Sequence, residues 1–421
     1  TPTYDKGCRP RGFVRHGRRG PKVSEVKRTW GEGGPLLFLV AGEPSGDQLG
    51  AGLMAALKNL NNNQIQFAGI GGEEMEAQGL KSLFPMAELS IMGLVEVLPK
   101  ALRLYRRILE TTSVIRRVQP AAMVTIDSPG FTFRVVRRLG ELDVPCIHYV
   151  APTVWAWKPG RAKVTAKLFD HLMVLLPFET QYFEQEGLRC TFVGHPAAME
   201  NEPGAGEKFR AEHGLETANV VGVFPGSRKS EVGRMLSVFG DAVHLLKSDI
   251  PNLHIVTTVV PGVRAIIERS IREWSVPVTL IESRGDKRAA YQGCDVALAA
   301  SGTVTTELAA ARTPMVVGYK MAPLTVAVAR RFVTAPHMTL VNLVLRRGAI
   351  PEFLQDLCTA TSLAEAVRTL LLDSQLRQQQ ISSLETAVQA LKGGQGDPSH
   401  RAAAVVQKIL LDTKMNESLT R

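Results

Sequence analysis

No cysteine pair stands at the spacing of a metal site or a redox motif. Cys8, Cys146, Cys190, Cys294 and Cys358 are scattered along the chain, which excludes a zinc knuckle or a disulfide framework and leaves isolated thiols of a reducing compartment. No apolar run reaches the ~18 residues that span a bilayer. The longest, 36–41 and 321–329, fall well short, so membrane association is expected to be peripheral. DxD, HExxH and paired-histidine spacings are missing too. A metal site is therefore not expected, no cofactor is implied, and a divalent cation on a bound nucleotide is not required. Acidic residues are the scarcer charge: 40 against 50 basic ones, for a net +10. That balance asks for an anionic partner, whether nucleic acid, a phosphorylated substrate or an anionic membrane.

What remains is an ordinary globular composition. The 421 residues are 45% hydrophobic, enough for two cores, since single cores stop growing near roughly 250 residues. Residues 1–34 stand apart: Lys6, Arg9, Arg11, Arg15, Arg18, Arg19, Lys22, Lys27 and Arg28 face only Asp5, Glu25 and Glu32. With frequent Gly and Pro and no apolar period, this basic extension is expected to be disordered. It lacks an initiator Met and is Arg-rich and acid-poor, like the tail end of an organelle transit peptide; the alternative is sequence foreign to the mature chain.

Beyond Pro35 short apolar runs alternate with amphipathic stretches. The pattern predicts strands at 36–41, 121–126, 146–150 and 172–176, and helices at 49–60, 98–118 and 131–142. After a linker at 201–206, NEPGAG, a second series predicts strands at 220–224, 253–259, 278–281, 296–299 and 315–318. Residues 362–391 read as helical, and 400–411 as a last helix. Repeated strand–helix units imply parallel sheets covered by helices on both faces. The expected fold class is α/β: two doubly wound Rossmann-like domains, 35–200 and 207–395, facing a cleft, then a last helix within 399–412. Ligands in such sheets bind beyond the carboxyl ends of the strands.

Five segments sit at those ends. Residues 41–47, AGEPSGD, close the first strand. Gly42 and Gly46 permit close backbone approach, Ser45 or Asp47 can cap the helix, and Glu43 is left as an acid at the strand tip. Residues 125–131, TIDSPGF, bring Asp127 to the end of another strand, either as a cleft carboxylate or as a helix cap. Residues 149–157, YVAPTVWAW, set Trp155 and Trp157 beside Lys158 and Arg161; the pair lines a sugar or acyl pocket, or fills a core corner. Residues 224–228, FPGSR, run a strand into a turn and a helix. The first N–H groups of that helix suit a diphosphate, with Gly226 and Ser227 in the turn and Arg228 adding charge; a plain capped turn is the other reading. Residues 300–307, ASGTVTTE, repeat the arrangement with Ser301, Gly302 and Thr303. Glu307, one turn into the helix, can reach a ribose, or belong to a capping box with Thr303. Residues 69–72, GIGG, do not make a dinucleotide fingerprint, because Glu74 stands where the third Gly belongs.

These segments occur in order with IMGLVEVLP (91–99), LLPFE (175–179), FVGHP (192–196), TPMVVGYKM (313–321) and LVNLVL (340–345). The ordered set closely resembles the lipid-A-disaccharide synthases, over about residues 35–412. Each segment alone is weak; the set is specific. The resemblance implies the two-domain GT-B fold, with the last helix packed back on the N-terminal domain. It implies an inverting, metal-independent transfer. The donor is UDP-2,3-diacylglucosamine, the acceptor is the 6-hydroxyl of 2,3-diacylglucosamine 1-phosphate, and the bond is β(1→6). An attacking alcohol needs a base: Asp127 is first choice, Glu43 second, with Ser45 beside them. The departing diphosphate falls to Gly226, Ser227, Arg228 and the turn of Ser301, Gly302 and Thr303. Glu307 holds the ribose, and Asn342 contributes by resemblance only. Two features depart from the family. Val304-Thr305-Thr306 replaces a stretch of small residues, and the basic extension is unusual among the bacterial enzymes.

Within 99–117, Lys100, Arg103, Arg106, Arg107 and Arg117 are expected on one helical side, and Leu98, Ala101, Leu102, Tyr105, Ile108 and Leu109 on the other. Met92, Leu94 and Val95 add apolar surface just before it. This fits an interfacial element that receives lipid from an anionic membrane; a core-facing helix with a solvated basic side is the alternative. The expected location is mitochondrial if the extension is a transit remnant, and otherwise the cytoplasmic face of a bacterial inner membrane. A homo-oligomer is among the expectations. Two competing functions exist: another UDP-sugar enzyme of the same fold, such as a 2-epimerase or a muramyl-type transferase, and a catalytically silent lipid- or nucleic-acid-binding protein. AGEPSGD and YVAPTVWAW argue against the first. Intact Glu43, Asp127 and Arg228 argue against the second, and with no RNA-recognition pattern, nucleic acid is not an expected partner.

Overall fold

Strands β1 (Leu36–Ala41), β2 (Gln66–Ile70), β3 (Ala122–Ile126), β4 (Cys146–Tyr149), β5 (His171–Val174) and β6 (Arg189–Phe192) form one sheet in the order β2-β1-β3-β4-β5-β6. Strands β7 (Asn219–Phe224), β8 (Leu253–Thr258), β9 (Val278–Ile281), β10 (Val296–Ala299), β11 (Met315–Tyr319) and β12 (Glu352–Leu354) form a second, ordered β12-β11-β10-β7-β8-β9. Every pairing within both sheets is parallel. The computed structural model describes residues 34–89, 97–140, 142–199, 202–260, 262–282, 284–322, 326 and 335–419. Residues 1–33 of the expected basic extension, and Met92, Leu94 and Val95, lie outside the described residues.

The sheets are parallel because their central strands are apolar on both faces and helices cover both. In β1, Phe38 and Val40 pack on one side with Ile108, Ile115 and Phe131. Leu37 and Leu39 point the other way, to a core shared with Ala402, Ala403, Val406 and Leu410 of the last helix, Pro398–Leu419. That helix therefore returns to the first sheet and lies against the first helix, Pro44–Leu60. The first helix begins five residues before the expected 49, with Pro44 in its opening turn, where a missing N–H costs nothing. The helical run expected over 362–391 is two helices, Ala360–Leu372 and Ser374–Lys392. They break at Asp373, whose carboxylate accepts from the Leu376 N–H at 2.9 Å. Within the expected 201–206 linker, a helix already starts at Ala205.

Strand order reverses once in each sheet, and that is where such folds bind ligands. In the first sheet the reversal lies between β1 and β3. Ala41 is in register with Ile126, so Gly42-Glu43 and Asp127-Ser128 emerge side by side. In the second it lies between β7 and β10. Phe224 is in register with Ala299, so 225–228 and 300–303 emerge together. The chain crosses between the sheets at 193–195 and returns at 392–397. Arg401 ties the two crossings. Its guanidinium donates to the Val193 carbonyl at 2.8 Å, to those of Gln395 and Gly396 at 2.9 Å each, and to Lys392. Gly194 has φ +87°, and a Cβ there would overlap the Lys392 carbonyl, so this crossing needs glycine.

Candidate active site

At the first reversal the backbone leaves β3 through two left-handed residues, Asp127 (φ +50°) and Ser128 (φ +46°). A Cβ on Gly42 would collide with the Ser128 side chain, so the two strand tips approach this closely only with glycine at 42. Burial raises the Asp127 carboxyl above its ordinary range, opposed by the Ser128 N–H, which donates to it at 2.8 Å. Asp127 thus bonds its neighbour, and the cap position of the next helix, Pro129–Leu139, belongs to Ser128. Glu43 is also raised, first by burial and then by the Asp127 charge, while Arg228 opposes the shift. Two carboxylates of the first sheet and a guanidinium of the second therefore share one field.

The expected capping role of Ser45 or Asp47 is not found. Glu43 holds the cap position of Pro44–Leu60 without a side-chain bond. Asp47 is buried and accepts instead from the N–H groups of Gly72, Glu74 and Met75 at 2.8, 3.0 and 3.1 Å, so it caps a different helix, Glu73–Ala77. Ser45 is exposed in the first helical turn.

The second reversal opens into a cavity of about 740 Å³, within the range of about 300–1,000 Å³ typical of ligand sites. Gly226, Ser227, Arg228, Ser301, Gly302, Thr303, Val304 and Glu307 line it, and Pro44 and Gln48 reach it from the first sheet, so it lies between the domains. Glu43 and Asp127 are not part of its wall; Pro44, next to Glu43, is. Gly226 has φ +111°, and a Cβ there would meet the carboxylate of the buried Glu231, which tucks beneath the turn. Arg228 holds the cap position of the helix Lys229–Asp249 with no side-chain cap bond. The helix Thr303–Ala310 likewise starts without one at Gly302. The capping box expected from Thr303 is absent, and the Thr305 hydroxyl donates to the Gly302 carbonyl at 2.8 Å. Both helices leave their first N–H groups without side-chain caps, as anion sites require. Glu307 takes Lys287 Nζ at 2.8 Å and the Tyr291 hydroxyl at 3.3 Å.

Asn342, expected to contribute by resemblance, lies in the interior of the second domain. It is 1% exposed, its amide exchanges two 2.9 Å bonds with the backbone of Ile350, and it donates to Glu352 at 2.9 Å. Its polar atoms are consumed in the fold, and it is not in the cavity wall. Trp155 and Trp157 part company. The Trp155 indole donates to Glu179 at 3.1 Å and meets Phe178 edge-on at 5.4 Å, packed against the core of the second domain. Burial pushes Glu179 up to about 7. Trp157 is exposed, with Lys158 Nζ 4.5 Å above its ring. Sequence reasoning missed Lys287 and Tyr291. His195 opens the first crossing, and burial holds it down to about 4 although Glu307 opposes the shift.

A sequence profile described as lipid-A-disaccharide synthetase matches residues 37–406. The chain belongs to the lipid-A-disaccharide synthase family. It is 46% identical over 379 residues to the lipid-A-disaccharide synthase of Rhodospirillum centenum, covering 89% of this chain and 94% of that protein. It is 45% identical over 381 residues to that of Ruegeria pomeroyi, covering 88% and 94%. Membership in this family makes the chain a glycosyltransferase. Among solved structures, Staphylococcus aureus MnaA with UDP superposes with a TM-score of 0.60 at 14% identity, covering 89% of this chain and 96% of that one. MurG of Acinetobacter baumannii superposes at 0.53 and 15%, covering 89% and 99%. These likenesses are of fold, two facing α/β domains of the GT-B type. No helix among the described residues is long and apolar enough to cross a membrane.

The helix Val97–Val118 corrects the interfacial expectation in two places. Its inner face is Leu104, Ile108, Thr111, Thr112 and Ile115. Leu102 and Tyr105, expected on the side opposite the cations, are 61% and 48% exposed and stand among the exposed Arg103 and Arg106. Arg107, expected with the free cations, is paired to Glu88 at 2.8 Å and Glu110 at 2.6 Å and lies 4.4 Å over the Phe84 ring. Lys100 falls in the helix, but its side chain lies outside the description. The neighbouring helix adds exposed Arg134, Arg137 and Arg138, the last 5.6 Å from the Tyr105 ring.

Proposed function

We propose that the chain transfers 2,3-diacylglucosamine from UDP to the 6-hydroxyl of 2,3-diacylglucosamine 1-phosphate, with inversion, forming a β(1→6) disaccharide 1-phosphate and UDP. The observation that carries this is Glu43, which feels Asp127 at its side and Arg228 from the facing domain, beside a cavity walled by two uncapped helix starts. The acceptor hydroxyl attacks the anomeric carbon from the face opposite UDP, and its proton passes to Asp127. Burial that raises a carboxylate's pKa makes it a stronger acceptor for that proton. Negative charge building on the leaving diphosphate is met by Arg228 and the N–H groups at Gly226–Ser227 and Ser301–Thr303. Glu307 takes the ribose hydroxyls. The Leu102–Tyr105 pair among arginines supports a face that receives lipid from an anionic membrane. That membrane is the inner face of a bacterial envelope or, if residues 1–34 are a transit remnant, a mitochondrial one.

Asp127→Asn tests the reading. Supplied with both lipid sugars, the variant should release UDP roughly 100-fold or more slowly than the wild type, as for a lost general base, while binding UDP as tightly. Near-normal turnover by a folded variant would remove Asp127 from this role.

A further inference from the structure

Glu307 is held by a chain of side chains that no strand-tip motif contains. Lys287 and Tyr291 come from the helix Arg284–Gln292, which follows β9. Lys287 Nζ and the Tyr291 hydroxyl both end on the same Glu307 oxygen, Oε2, at 2.8 and 3.3 Å. Thr258, at the end of β8, lies beside the Tyr291 hydroxyl. The Tyr291 ring is fixed edge-on against Phe224, 4.9 Å between centroids, and Tyr291 is 1% exposed. A phenol has one proton and an ionised carboxylate only accepts, so that proton goes to Glu307. Among the described residues nothing bonds Glu307 Oε1. Thr258, Lys287, Tyr291 and Glu307 all line the 740 Å³ cavity.

An unpaired carboxylate beside a diphosphate site would repel the ligand. A carboxylate with one oxygen neutralised and fixed instead offers the other as an oriented acceptor. Building on the ribose assignment above, we infer that Lys287, with Tyr291, is a positioning and specificity device for the donor nucleotide. It clamps Glu307 Oε2 so that Oε1 accepts from the ribose 2′-hydroxyl, and it offsets the charge that Glu307 would otherwise set against the diphosphate.

The test measures binding of UDP and of 2′-deoxy-UDP to the full chain by calorimetry, for the wild type, Lys287→Met, Tyr291→Phe and Glu307→Gln. A hydrogen bond to a charged acceptor predicts that the wild type prefers UDP by about tenfold or more. Lys287→Met should bring the preference to within about threefold, and Tyr291→Phe should reduce it partly. Adding Lys287→Met to Glu307→Gln should cost little beyond Glu307→Gln alone. In turnover, the loss in Lys287→Met should fall on the donor KM more than on kcat. If Lys287→Met and Tyr291→Phe both keep the full preference while Glu307→Gln loses it, the clamp is refuted and the ribose assignment stands. If the wild type itself shows no preference, the ribose assignment fails and takes the clamp with it.

Discussion

At Asp127 two consecutive non-glycine residues occupy left-handed backbone, a conformation that costs on the order of 1 kcal/mol or more each. The raised pKa of Asp127 has a kinetic consequence. A base must be ionised, so the acid limb of kcat/KM should lie above the ordinary carboxylate range near about 4, with activity falling as pH drops through it. A limb at or below that range would contradict a buried carboxylate base. Glu43→Gln distinguishes the pair: it should cost less turnover than Asp127→Asn, and a larger loss would exchange their roles. Glu179 makes a separate prediction about stability. Its carboxyl is raised to about 7 by burial, against Trp155 and backbone donors that lower it. The folded chain therefore keeps a proton that the unfolded chain has already released. The stability this contributes is full below about 4.5 and is lost as pH rises through about 7. The difference in melting temperature between wild type and Glu179→Gln should change across pH 5–7.5, against the wild type as pH rises; parallel curves would show that Glu179 does not titrate there.

Among the elements, the helix Val97–Val118 carries the membrane reading. Its outer face mixes Leu102 and Tyr105 with Arg103 and Arg106, an arrangement that suits a headgroup layer. Each basic side chain near an anionic surface is worth about 1 kcal/mol. Changing Arg103 and Arg106 to Gln should weaken binding to phosphatidylglycerol vesicles strongly at low salt, and the difference from the wild type should shrink as salt rises. Changing Arg107 should instead lower the melting temperature, because its partners are Glu88 and Glu110. If removal of residues 1–34 abolishes vesicle binding and the double variant retains it, the helix is not the anchor. The same helix shows what the sequence conveys and what it hides. Its existence is legible in its length and period, but which residues face inward depends on Phe84 and Glu88, which only the fold brings near. Strands β1, β3, β7 and β10 are readable because burial on both faces makes them continuous apolar runs. The edge strands β2, β6 and β12 were not, being short and partly exposed. The site divides in the same way. Glu43, Asp127 and Arg228 sit at strand-to-helix turns, and Glu307 one turn into a helix that such a turn opens, so their residue types are local signals. Lys287 and Tyr291 belong to the helix after β9, away from any strand-tip turn, and Asn342 turns out to brace Ile350 and Glu352, relations that no local pattern encodes.

For the whole molecule, two sheets each reverse their strand order once, and the two reversals share one cleft. One brings carboxylates and the other brings helix starts and Arg228, which in the proposed reaction sets a proton acceptor against a diphosphate sink. Arg401 and Gly194 fix the crossings that set the domains against each other. The proposed reaction assigns no step to a divalent ion, and the sequence has no DxD. The central claim is best tested by incubating the full chain with UDP-2,3-diacylglucosamine and 2,3-diacylglucosamine 1-phosphate in excess EDTA. Phosphorus NMR would follow UDP, and mass spectrometry with linkage analysis would define the lipid product. The account predicts equal amounts of UDP and a β(1→6)-linked disaccharide 1-phosphate, with turnover unchanged by EDTA. UDP release without disaccharide, an epimerised donor, or turnover that EDTA abolishes and magnesium restores would contradict it.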